Sequence, residues 1–266
     1  MKIEVVVSFQ VDPGGAERLR AALGDQAAGR EFEPGIYEVR FARREAGLPE
    51  LIEILEQLRL DYSLTEERSF RRRELEGALA LHIAPGPEAT RKSPRAHVEE
   101  EEACPVCGAG TGLPGELVVE GEIPDHPAVT VLPGGRMLVR EEVARDLVAA
   151  GITGCLLRTV RDAWGRRKDV FELLPVHMLP PLQTPPTRFQ FREDFSCPNC
   201  REGGRRLVSM LYYDAAEEAF MDVNVSTERF GRSPRIWREM VVSQRMFRIL
   251  AEHGAEDIQV EPVILV

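Results

Sequence analysis

The chain has 266 residues, 43% of them hydrophobic and 29% charged, with a formal net charge of −10. This is enough for one large or two ordinary domains with real cores, and it excludes a disordered chain. The acidic balance argues against broad nucleic-acid binding, which relies on basic patches facing phosphates.

No segment reaches the roughly 20 apolar residues of a membrane span. The opening "MKIEVVVSFQVD" meets Asp12 too early for a signal peptide. A cytoplasmic chain without a membrane partner is expected. The local basic groups Arg71–Arg73, Arg166–Lys168 and Arg205–Arg206 read as solvated faces.

Residues 1–84 alternate between element types. "KIEVVVSFQV" predicts a strand, stopped by the turn signal "DPGG". "AERLRAAL" predicts a short helix, and "GIYEVRFA" alternates at strand period. "LPELIEILEQLRL" sets Leu51, Ile52, Leu55 and Leu58 at helical spacing, with Pro49 in the first turn. "YSLTEERSF" and "ELEGALALHIA" read as two further strands. The expectation is a small α/β sandwich, with a ferredoxin-like arrangement as a candidate. Residues 85–103, rich in proline and charge and ending in Glu99–Glu102, read as a linker.

Residues 104–266 repeat themselves. "MLVREEVARDLVAAGITGCLL" (137–157) lies over "MVVSQRMFRILAEHGAEDIQV" (240–260) at a constant offset of 103. Each copy predicts strand, helix, a glycine stop and strand, with Gly151 and Gly254 where a left-handed C′ residue ends a helix. The pairs Cys104/Cys107 and Cys197/Cys200 precede these units at an offset of 93. The expected class is therefore α+β: a small N-terminal sandwich, then a pseudo-duplicated domain containing a zinc ribbon, with copies at about 104–176 and 197–266.

Two thiolates in a tight CPxC turn grip one metal from two sides, and zinc asks for four ligands in a tetrahedron. Cys104, Cys107, Cys197 and Cys200 are thus the candidate ligands of one structural Zn2+ per chain, although 89 residues separate the pairs. A redox role suits them less, because redox CxxC pairs open a helix and turn and strand patterns follow here. Cys155, which aligns with Ile258, reads as a small hydrophobe in a strand. His82, His97, His126, His177 and His253 form no sequence constellation, and no nucleophile motif accompanies Asp125–His126. No catalytic residues are assigned.

"CPVCG" at 104, "MLVREEVARDLVAAGITG", "CPNC" at 197 and the ending "MVVSQRMFRILAEHGAEDIQVEPV" resemble the double-CXXCG proteins, a paralogous set known mainly from myxobacteria. The closing pattern is also similar to a wider group of bacterial immunity-protein domains. The resemblance covers about 104–266 and places the family's cysteines on Cys104, Cys107, Cys197 and Cys200. It implies a zinc-stabilised, non-enzymatic protein that holds a partner such as a cognate toxin or neighbouring gene product. Arg201 and Glu202 stand where that family usually shows glycine. Two other readings stay open: a zinc-ribbon nucleic-acid or transcription-associated module, and a CxxC oxidoreductase.

Overall fold

The computed structural model describes residues 1–11, 30–33, 35–42, 47–85, 95–99, 104–107, 109, 116–120, 123, 128–132, 135–215, 220–233, 235–255 and 258–266. The fold is mixed α+β, mostly strands with few helices, in two units, Met1–Arg71 and Arg72–Val266. No helix among the described residues is long and apolar enough to cross a membrane.

The first unit contains β1 (Lys2–Gln10), β2 (Arg30–Glu33), β3 (Ile36–Ala42), α1 (Gly47–Gln57) and β4 (Tyr62–Ser69). The four strands form one antiparallel sheet in the order β2-β3-β1-β4. Val7 and Phe9, two apart on β1, share a face with Val39 of β3, and α1 seats Leu51 and Leu55 in the same core. Leu55 is fully buried, which stabilises by roughly 1.5–3 kcal/mol. The helix expected at "AERLRAAL" lies outside the described residues.

The second unit begins with α2 (Arg72–Glu76), β5 (Ala80–Pro85), β6 (Arg95–Glu99) and β7 (Glu116–Glu120). The first copy of the repeat supplies β8 (Val129–Val131), β9 (Met137–Arg140), α3 (Glu141–Ala149), β10 (Cys155–Asp162) and β11 (Arg167–Pro175). There follow β12 (Phe189–Ser196), β13 (Gly203–Leu207), β14 (Tyr212–Tyr213), β15 (Val223–Val225), β16 (Phe230–Arg232) and β17 (Arg235–Trp237). The chain ends with β18 (Met240–Ser243), α4 (Gln244–Glu252), β19 (Ile258–Pro262) and β20 (Ile264–Leu265).

The offset of 103 is kept at both ends of β9/β18 and α3/α4 and at the first residue of β10/β19. Gly151 (φ 62°) and Gly254 (φ 69°) end the helices in the left-handed conformation expected of them. Each copy sits in an antiparallel four-strand array, β8-β9-β11-β10 in the first and β15-β18-β5-β19 in the second. The registers correspond. Leu173 pairs with Met137 and Leu157, and Ile83 pairs with Met240 and Val260. Pro175 faces Cys155 as Pro85 faces Ile258.

The central strand of the first array thus follows its helix in sequence, while that of the second is β5, which precedes everything else in the repeat. The duplication is circularly permuted. Val143 and Leu147 of α3 and Met246 and Leu250 of α4 fill one core with Leu81, Val139, Leu173 and Val242, so the helices of both copies are buried in common.

Two boundaries differ from the sequence reading. The first unit ends at Arg71, not residue 84, because "ELEGALALHIA" forms α2 and then β5, whose edges are taken by β18 and β19. Within the expected linker, residues 95–99 are β6, paired with β7 from Arg95↔Glu120 to Glu99↔Glu116. His97, expected in solvent-exposed linker, lies opposite Val118 in that ladder. β5 finds its partners in residues 240–262, which its own sequence does not reveal.

Candidate metal centre

Each CPxC pair follows the first arm of an antiparallel strand pair. Cys104 and Cys107 lie between β6 and β7, and Cys197 and Cys200 between β12 and β13, where Ser196 pairs with Gly203. The turns close identically. The Cys104 amide donates to Ala109 O at 3.0 Å and the Cys197 amide to Glu202 O at 2.8 Å, acceptors again 93 residues apart. In the second turn the Arg201 amide also donates to Cys197 O, at 2.9 Å, and Arg201 has φ 63°. Arg201 therefore holds a left-handed position where the first turn has Gly108 in sequence, at a steric cost glycine would not incur.

The structure brings all four predicted cysteines together. Their sulfurs lie within 4.8 Å of one another, and none is in a disulfide. Equivalent positions meet: Cys104 Sγ is 3.7 Å from Cys197 Sγ, and Cys107 Sγ is 3.5 Å from Cys200 Sγ. A regular tetrahedron with metal–sulfur bonds of about 2.3 Å has sulfur–sulfur edges of about 3.8 Å. The cluster is a four-thiol candidate metal site already near those dimensions.

Its surroundings favour thiolates at two positions. Asn199 Nδ2 donates to Cys104 Sγ at 3.3 Å. With the backbone amides of Val106 and Cys107, this lowers the Cys104 pKa to about 6. The Cys200 and Asn199 amides lower that of Cys197. Burial pushes the Cys107 and Cys200 thiols up, so a bound cation would have to draw their protons off. Cys155 lies apart, half-buried at the start of β10 and packed against the shared core. Burial raises its thiol to about 11, leaving it the small hydrophobe expected.

Among the described residues no histidine joins the cysteine cluster. His253 Nε2 contacts Asp146 Oδ2 at 2.8 Å, joining α4 to α3. His126 lies outside the described residues. His82, given no role from sequence, is buried on β5 with Nε2 2.9 Å from Glu239 Oε2, and Glu261 of β19 stands opposite it. The equivalent place in the first copy is Glu172 on β11, 1% exposed, bonded to Arg136 and to Arg158 Nη2 at 2.7 Å. Arg136 and Glu239, like Arg158 and Glu261, are 103 residues apart. The second copy thus carries the first copy's buried polar group with its acidic and basic residue types exchanged. The signal was present in the alignment of the two halves, but only the strand pairing shows that Glu172 and His82 correspond.

No protein-family model matches the chain, and a search of curated proteins returns no significant match.

Proposed function

We propose that the protein is a zinc-stabilised, non-enzymatic protein-binding protein of the double-CXXCG type, whose partner is a cognate toxin encoded beside it. The observation that carries the zinc reading is the four-sulfur cluster at near-tetrahedral spacing, contributed equally by two equivalent turns. Four thiolates fill the coordination of zinc and leave no position for water, so the ion is structural. It bridges the two zinc-ribbon-like hairpins, β6-turn-β7 and β12-turn-β13. The strand order β2-β3-β1-β4, all antiparallel with α1 between β3 and β4, supports a ferredoxin-like sandwich for the first unit. The toxin-partner reading rests on the resemblance of residues 104–266, and a cytoplasmic location accompanies it.

Two measurements test this reading separately. Elemental analysis of protein purified without chelator should give one zinc per chain, and a strong chelator should sharply lower the melting temperature; absence of zinc with four titratable thiols refutes the metal reading. Co-expression with the neighbouring gene product should relieve its toxicity and yield a complex; toxicity unrelieved and no complex refute the partner.

A further inference from the structure

The second cysteine turn carries a surface unlike the rest of the chain. Residues 188–207 and 229–238 hold nine arginines against three carboxylates, one of the arginines, Arg238, being turned inward onto the Ser226 and Thr227 carbonyls, whereas the chain as a whole has 34 cationic and 44 acidic residues. Everything else therefore has 25 cationic against 41 acidic residues. The net acidity that argues against nucleic-acid binding is an average over two oppositely charged parts.

These two stretches are adjacent in space. β16 and β17 pair with each other, the Ser233 amide donates to Phe195 O at 2.9 Å, and Ile236 packs at Gly203. The charges are arranged with flat rings. Arg192 lies over the Phe195 ring at 4.2 Å and Arg232 lies over the same ring at 4.7 Å, while Arg205 lies over Phe189 at 5.9 Å. Phe191, 61% exposed, lies across from Arg205 in the β12–β13 ladder, with its ring over the Gly204 backbone. Asp194 holds Arg192 through a two-point ion pair, fixing the guanidinium plane against the ring. An exposed phenylalanine on a strand costs solvation and adds nothing to the core. An arginine-flanked ring with a free face is how single-stranded nucleic acids are held: bases stack on rings and guanidinium planes, and phosphates meet the charges.

We propose that the β12–β13 hairpin, which carries exposed Phe191 opposite Arg205 and the Phe195 ring with Arg192 and Arg232 over it, binds a single-stranded nucleic acid. Exposed ring area and stacked guanidiniums favour bases over an acidic protein surface, whose carboxylates would use the charges but not the open ring. The inference is independent of the toxin-partner reading.

The test is fluorescence anisotropy of the full-length protein, purified without chelator, with short labelled oligothymidine and oligouridine at low salt. Binding is expected to weaken as salt rises, with a log–log slope of about −2 for three phosphate contacts. Phe191→Ala should weaken it about ten-fold by removing one stacking partner, and Arg205→Gln should make the slope shallower. Trp164→Ala is the control. Trp164 is 76% exposed beside Arg166 but lies on the β10–β11 turn, so its loss should leave binding unchanged. Melting temperatures should match wild type, since both Phe191 and Trp164 face solvent. The proposal is overturned by absence of binding at low salt, by equal affinity in Phe191→Ala and wild type, or by competition from polyglutamate as strong as that from unlabelled oligonucleotide. The last outcome would make the face a docking site for an acidic protein.

Discussion

Replacing Glu172 by glutamine keeps the shape of the side chain and removes its charge. The glutamate side chain is 1% exposed and neutralises Arg136 and Arg158, whose side chains are 16% and 25% exposed. Removing one member of a buried ion pair costs about 3–5 kcal/mol, because a charge is left without compensation. Here two guanidiniums lose their partner but keep some access to water, which places the cost near the lower end, about 3 kcal/mol. For a unit of this size each kcal/mol lowers the melting temperature by about 2–4 °C, so the expected fall is about 6–12 °C. Both tryptophans, Trp164 and Trp237, lie in the second unit, so their fluorescence follows its unfolding without interference from the first. The combined variant Arg136→Met, Glu172→Leu, Arg158→Met should lie close to wild type, because no charge then remains to be desolvated. A fall below about 2 °C for Glu172→Gln, or a combined variant as unstable as the single one, would refute the reasoning.

Arg201→Gly should stabilise the second cysteine turn by about 1 kcal/mol, by relieving a left-handed residue at φ 63°; chemical denaturation would show an unchanged or lower midpoint if the strain is absent. Gly154→Ala should cost more than about 3 kcal/mol, since its Cβ would lie 2.1 Å from Val223 O at φ +81°, and soluble yield and melting temperature both report it. Burial alone would raise the Asp222 carboxyl, but hydrogen bonds from Arg245, Ser243 and Thr153 outweigh it and hold the group well below the usual range. Its stabilisation is present above about pH 4, the unfolded value, and is lost as pH falls further. Unfolding measured from pH 6 downward should therefore steepen below about pH 4 in wild type and flatten in Asp222→Asn. A chain starting at Arg72 should keep the second unit folded, while one starting at residue 86 should not, because β5 is the central strand between β18 and β19; dispersed amide spectra from both would contradict the permutation.

The local elements were legible wherever hydrogen bonds and burial are local. The spacing of Val143 and Leu147, the glycine stops and the alternation in β1 and β3 are set by nearby residues and were read correctly. The cysteine cluster was legible because the repeat supplied what spacing could not: 89 intervening residues say nothing about proximity, but two copies of one plan have equivalent turns. The boundary at residue 84 failed for the opposite reason. The stretch "ALALHIA" looks like the close of the preceding sandwich, and only pairing with residues 240–262 shows where it belongs. His82 was unreadable for the same cause, since its meaning depends on Glu239 and Glu261, more than 150 positions away.

The permutation gives the cysteine cluster a physical task. The first array needs only residues 128–175, so its contacts are short in sequence. The second must bring residues 80–85 between residues 240–243 and 258–262, and closing so long a loop is entropically costly before any contact rewards it. The equivalent cysteine turns meet inside that loop, at residues 104–107 and 197–200. A metal bound there divides one long closure into shorter ones and fixes the two hairpins that carry the cysteines against each other. The apolar faces that α3 and α4 bury in common are supplied by both arrays at once, so a chain held at the cysteine turns has already restricted the search for that shared core. In a duplication whose copies are each complete in sequence, such a clasp would add little. In this one the second copy lacks its central strand until the chain returns, and the four-cysteine cluster lies on the path of that return.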